Sequence, residues 1–360
     1  MAAELNRKND YSLRIMRIFA CFMVVLLHTS ADWGGRAETT ISWRVLNFYD
    51  SLSRCCVPVF FMISGALFLS REKISLKWLW RKKILRLVIL YILFLVFYAV
   101  TETGIHKAIK DPSLLWEAIQ NPSAHLWFIR AILPVYALSP IIHQWVQAAD
   151  RETIRYYLLL FFLFGVLFET IDTFAYDSPK LKEFLDMYFR FDMVGYIGYF
   201  ILGYYLYRFY PCRKQNSAKC FLLFIGTAVF SAAFNAWYCR EVYGRPLGFL
   251  YGYFCVTTFF EAVFFFLAVR SAFPEESEAY QPKTRKVVSG ISKGTLYIYL
   301  IHIFVKVRLA MYCGLKVGFA GEGFSMLWQV PLLSLIYFMV SLPPAFFLLW
   351  IEKVMTKGRS

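Results

Sequence analysis

Long apolar runs alternate with short polar breaks from one end of the chain to the other. A helix rises ~1.5 Å per residue, so ~20 apolar residues cross the ~30 Å hydrocarbon layer of a bilayer. On that basis the pattern predicts an all-α polytopic integral membrane protein. Its ten spans fall at roughly 14–31, 51–70, 84–101, 126–146, 156–172, 191–209, 220–238, 249–270, 294–313 and 326–350. Two connections are longer than turns. Residues 102–125 carry a short amphipathic stretch, LLWEAI, between Pro112 and Pro122, and residues 271–293 mix charges with Pro274 and Pro282, reading as a flexible loop. The first run is too long for a signal peptide and lacks a small-residue cleavage site, so it reads as a retained span.

Composition agrees with the pattern and narrows it. Hydrophobic residues make up 59 %, aromatics 20 %, and mean hydropathy is +0.50. The net charge of +15 suggests nucleic acid, but the basic residues alternate with the spans and gather on one side. That side takes 25 of the 39 Lys and Arg residues, among them seven between Arg71 and Arg86, so both termini are expected to be cytoplasmic. Nucleic acid is therefore excluded as the expected partner; membrane lipid is expected instead. Eight cysteines lie mostly in or beside apolar runs, with no Cys-x-x-Cys pair and no metal-ligand spacing, so no metal is expected. The reading places residues 1–360 in one membrane domain without an appended soluble domain.

Ionisable residues inside apolar runs are costly, about 2.5–3.5 kcal/mol on insertion scales, and lean functional. Arg17 and His28 stand eleven positions apart in RIMRIFACFMVVLLHTS, almost three helical turns, so they share one side of the first span at roughly 16 Å separation. Asp32 lies four residues beyond His28 and would orient its imidazole if the helix runs that far. Glu261 is expected near the middle of the eighth span and His302 within the ninth. Arg54, Arg130, His125, Glu169, Asp172 and Asp192 are expected at outer span ends, where an interfacial role suffices. The cluster Arg81, Lys82, Lys83 and Arg86 opens the third span; it is either a positive-inside flank or a phosphate clamp.

These residues, taken in order, carry a family likeness. The chain resembles the acyltransferase-3 group of membrane-bound O-acyltransferases through Arg17-x10-His28, VPVFFMISGALFL (57–69) and the basic loop into the third span. The likeness continues through HLWFIRAILPVYALSPII (125–142), GYFILGYYLY (198–207) and LYIYLIHIFV (296–305). The nearest counterpart of the family's Arg-x-x-Arg pair is Lys83-x-x-Arg86. The resemblance implies an acyl-CoA donor, usually acetyl-CoA, held from the cytoplasmic side by Arg17 and Arg81–Arg86. It implies a hydroxyl-bearing acceptor such as a cell-surface glycan, and residence in the plasma membrane. His28 would then deprotonate the acceptor or carry the acyl group as an acyl-imidazole. Glu261 and His302 are candidates to line the same interior. Two other readings stay open: a proton-coupled transporter or flippase, and a component of polysaccharide synthesis or export without chemistry of its own.

Overall fold

The computed structural model of the 360-residue chain describes residues 11–31, 36–104, 111–120, 122–174, 192–211, 213–273 and 282–357. Of the described residues 85 % are helical and none lies in a strand. In chain order the helices are α1 (Tyr11–Ser30), α2 (Ile41–Ser53), α3 (Cys56–Leu69), α4 (Leu76–Thr103), α5 (Pro112–Gln120), α6 (Trp127–Ala148), α7 (Arg151–Phe174), α8 (Asp192–Phe209), α9 (Ser217–Tyr238), α10 (Val256–Ala272), α11 (Pro282–Cys313) and α12 (Met326–Lys357). Among the described residues, eight helical stretches are long and apolar enough to cross a membrane. The helices α8 and α10, of 18 and 17 residues, stand where the sixth and eighth spans are expected.

The helices start and stop for local reasons. Thr40 caps α2, its hydroxyl accepting from the Trp43 amide at 3.2 Å. Asp150 does the same for α7 through the Thr153 amide at 2.7 Å, and those hydrogen bonds hold its carboxyl below the usual range. Thr29 and Ser30 turn their hydroxyls back onto the Val25 and Leu26 carbonyls, at 2.8 and 2.9 Å, in the last turn of α1.

Four expectations need correction. The second span begins ten residues early: α2 and α3 follow each other so closely that residues 41–69 form one crossing of 29 residues. Arg54, expected at its outer end, therefore lies midway along it. Helix α10 begins at Val256 rather than 249, because Gly248 and Gly252 lie in the turns that precede it, which puts Glu261 in its second turn instead of mid-span. Helix α11 starts at Pro282, a residue suited to a first helical position, so the basic stretch 283–293 is helix rather than flexible loop. Helix α4 starts at Leu76, ahead of the predicted 84, and contains one π-helical turn, Trp80–Ile84. LLWEAI, expected to be amphipathic, lies in α5.

Two compact units emerge, residues 1–66 with 155–360, and residues 67–154. In the larger, α1 packs against α2, α10, α11 and α12, while α9 packs against α2 and α10. Helices α3 and α8 come close together where Gly65 faces the Phe200 carbonyl and Gly203 faces Met62. Small residues there let two backbones meet, as packing without water between helices requires. In the smaller unit, α6 contacts the π turn and the first turn of α4, and the buried ring of Phe68 stacks on Tyr136 at 4.6 Å between centroids.

Candidate active site in the larger unit

His28 sits in the last turn of α1, where backbone carbonyls have no helical donor left. The Lys306 ammonium supplies one, donating to the His28 carbonyl at 2.6 Å. A cation at a helix C-terminus also complements the helix dipole. His302 lies one turn before Lys306 on α11, so the same face of that helix presents both residues to α1. The His28 and His302 rings meet at 5.1 Å between centroids, tilted by 42°. His302 is 1 % exposed, and its Nδ1–H donates to the Tyr299 carbonyl at 2.7 Å. That bond selects the tautomer whose Nε2 carries the lone pair, the form able to take a proton.

Arg17 is half-buried, about three turns before His28 on α1. Asp32 lies outside the described residues, as does the Trp33-Gly34-Gly35 stop. Glu261 belongs to a separate set of charges. Asp50 and Arg54, four residues apart on the second crossing, form an ion pair at 2.7 Å with the Asp50 side chain fully buried. Glu261, 1 % exposed, feels both charges of that pair. The Arg54 guanidinium also lies 5.1 Å from the centre of the Tyr251 ring. Tyr251 in turn donates to Asn47, whose side-chain oxygen accepts from Asn235 at 2.8 Å and whose amide donates to the Ala232 carbonyl at 2.8 Å. Three buried atoms of this trio, Asp50 Oδ1, Arg54 Nε and Glu261 Oε2, have no hydrogen-bond partner among the described residues.

The remaining candidates lie in the smaller unit or, for Glu169, Asp172 and Asp192, in α7 and α8 of the larger one. Arg81 and Lys82 are exposed, Lys83 and Arg86 half-buried. Arg130 and Glu169 are exposed and Asp172 half-buried. His125 is buried against Tyr98, with centroids 4.7 Å apart. Asp192 opens α8. Among the described residues no group of three His, Cys, Asp or Glu side chains could hold a metal ion.

Sequence reasoning missed Lys306 and Asp50. Lys306 stood in view, a charge in LIHIFVKV four residues after His302. The Asp50–Arg54 spacing was also present, but a span starting at 51 cut the pair apart. Asn47, Asn235 and Tyr251 gave no pattern, because only folding brings them together.

No curated protein and no solved structure matches the chain. The family model described as an acyltransferase domain matches residues 10–350, nearly the whole chain and every helix from α1 into α12. A helical membrane protein whose first crossing ends in an imidazole pair thus belongs to the acyltransferase-3 family.

Proposed function

We propose that this acyltransferase moves an acetyl group from cytoplasmic acetyl-CoA to a hydroxyl of a cell-surface glycan or similar acceptor. The observation that supports it most is the His28–His302 contact at the end of α1. An imidazole near neutral pH is a good general base, contributing ~10²–10⁴-fold in rate. In the direct route, His28 takes the acceptor's hydroxyl proton, the oxygen attacks the thioester carbonyl, and the CoA thiolate leaves and is protonated. In the two-step route the His28 ring attacks first and the acyl-imidazole is then opened by the hydroxyl. In either, the His302 ring packs against His28 at 5.1 Å between centroids and helps hold it in place. Arg17 and the basic stretch Arg81–Arg86 each supply positive charge suited to an anionic donor. Asp32 is assigned the orientation of His28, and Glu261 a place in the interior lining. The Lys and Arg distribution supports cytoplasmic termini, which fit an even number of crossings.

The test uses membranes holding equal amounts of wild type or His28→Ala, radiolabelled acetyl-CoA and an extract of host surface glycans. Label should enter the glycans with wild type and fall at least ~100-fold in the variant. Equal labelling by both removes His28 from the chemistry. If neither labels the glycans while both bind acetyl-CoA, the glycan acceptor is wrong.

A further inference from the structure

His28 is half-buried, while Met23 to Leu27 before it and Thr29 and Ser30 after it are buried. Its ring thus stands at the edge of the packed interior, the place for a group that must meet substrate. It also lies in the last turn of α1, where a helix stops supplying donors to its own carbonyls. The carbonyls just before it are satisfied within α1. The Thr29 hydroxyl donates to that of Val25 at 2.8 Å, the Ser30 hydroxyl to that of Leu26 at 2.9 Å, and the Ala31 amide to that of Leu27 at 2.8 Å. The His28 carbonyl takes its donor from another helix, the Lys306 ammonium of α11 at 2.6 Å.

An ammonium is a costly tie at membrane depth. Serine, threonine or asparagine would join two helices without bringing a charge there. What the charge adds is strength. A hydrogen bond from a cation is roughly twice as strong as a neutral one, and the helix dipole is negative at this end of α1. The tie is also placed for one residue. Lys306 follows His302 by four positions, so one face of α11 brings both to α1. His302 meets the His28 ring at 5.1 Å between centroids and is itself fixed by its bond to the Tyr299 carbonyl at 2.7 Å. Lys306 holds the backbone from which that ring departs. Helix ends fray, and a ring on a fraying turn keeps no fixed direction whatever its rotamer. The two contacts together set backbone and ring from one helix.

We propose that Lys306 is a positioning residue for the acyl transfer: by holding the His28 carbonyl it keeps the His28 ring aligned with the reacting groups. The role presupposes His28 as base or acyl carrier, as proposed above. Lys306 acts through His28 and touches no reacting atom. A misplacement of about 1 Å costs such a reaction roughly 100-fold. Donor binding does not use that alignment, so losing Lys306 should slow turnover and leave KM for acetyl-CoA in place.

Initial rates of acetyl transfer to the glycan extract are measured across acetyl-CoA concentrations. The membranes hold equal amounts of wild type, Lys306→Met, Lys306→Arg, Arg308→Gln or His28→Ala, each matching wild type in size-exclusion profile after solubilisation. Arg308 is the control, on another side of α11 with its guanidinium carbon 5.0 Å from the centre of the Phe304 ring. Lys306→Met should lower kcat roughly 10- to 100-fold, with KM for acetyl-CoA within about twofold of wild type. Lys306→Arg, which keeps a cationic donor, should retain most of the rate, and Arg308→Gln all of it. If Lys306→Met does not fold, Lys306→Gln takes its place with the same expectation. Wild-type kcat in the neutral variant overturns the role, and so does a loss carried by KM alone. A loss that Lys306→Arg or Arg308→Gln shares in full makes Lys306 a packing residue and overturns it too. His28→Ala as active as wild type removes the chemistry assigned to His28 and this role with it. His28→Ala inactive beside an unimpaired Lys306→Met removes Lys306 alone.

Discussion

At the scale of single residues, the buried charges decide most. Arg54 keeps Asp50 neutralised in a place where the Asp50 side chain has no exposure to water. Removing one partner of such a pair leaves an uncompensated charge, which costs about 3–5 kcal/mol. Arg54→Met should therefore lower thermal stability in detergent strongly, and the double variant Asp50→Asn with Arg54→Met should recover much of the loss. A single variant as stable as wild type would show that the pair is not buried as described. Lys306 acts at the same scale with a different consequence. Its ammonium ties α11 to the last turn of α1, so it fixes the carbonyl of the very residue that faces His302.

At the scale of elements, the α3–α8 contact is set by two glycines. A Cβ on Gly65 would overlap the Phe200 carbonyl, and one on Gly203 the backbone of Met62. Backbone cannot swing aside as a flexible side chain can, so the helices would have to separate. Overpacking of this sort costs about 1–3 kcal/mol, occasionally more. Gly65→Ala should lower the folded yield and melting temperature. Gly226→Ala, on α9 with nothing within 4 Å of the added carbon, should leave both unchanged or slightly raised. Equal behaviour of the two variants would contradict the close approach. The π turn of α4 is an element-scale device of another kind, since one extra residue in a turn changes which lysine meets Trp78.

At the scale of the whole molecule, sequence-distant ends of the larger unit are tied together on the side where α1 ends. Arg36 grips Glu322 through two hydrogen bonds, at 2.7 and 3.0 Å, and the Gly323 amide donates to Ser42 at 2.7 Å. The hydrogen bond from Arg36 holds the Glu322 carboxyl below its ordinary range. A depressed carboxyl contributes stability above its unfolded pKa and loses it as the pH falls through the folded one. Glu322 is more than half exposed, so the contribution is at most about 1 kcal/mol. The melting temperature of wild type should exceed that of Glu322→Gln near about pH 7, and the gap should close on acidification through the carboxylate range. A gap that stays constant across that range would remove the ion pair as its cause.

Apolar runs and helical rise alone give the membrane class, the neighbourhood of most crossings, and the shared side of Arg17 and His28. Those follow from hydrophobic period and helical rise, which act locally. The family, too, was legible, because ordered motifs along the chain carry it. Only the tertiary structure decided that His28 meets His302 across 274 positions, and that Glu261 joins Asp50 and Arg54 rather than the histidines. It also decided that Arg71 and Lys83 converge on one indole while Arg81 and Lys82 face solvent. The physical reason is the same in each case. A helical pattern states which side of a helix a charge occupies, but its partner is set by how helices pack and by a single π turn, and neither leaves a period in the sequence.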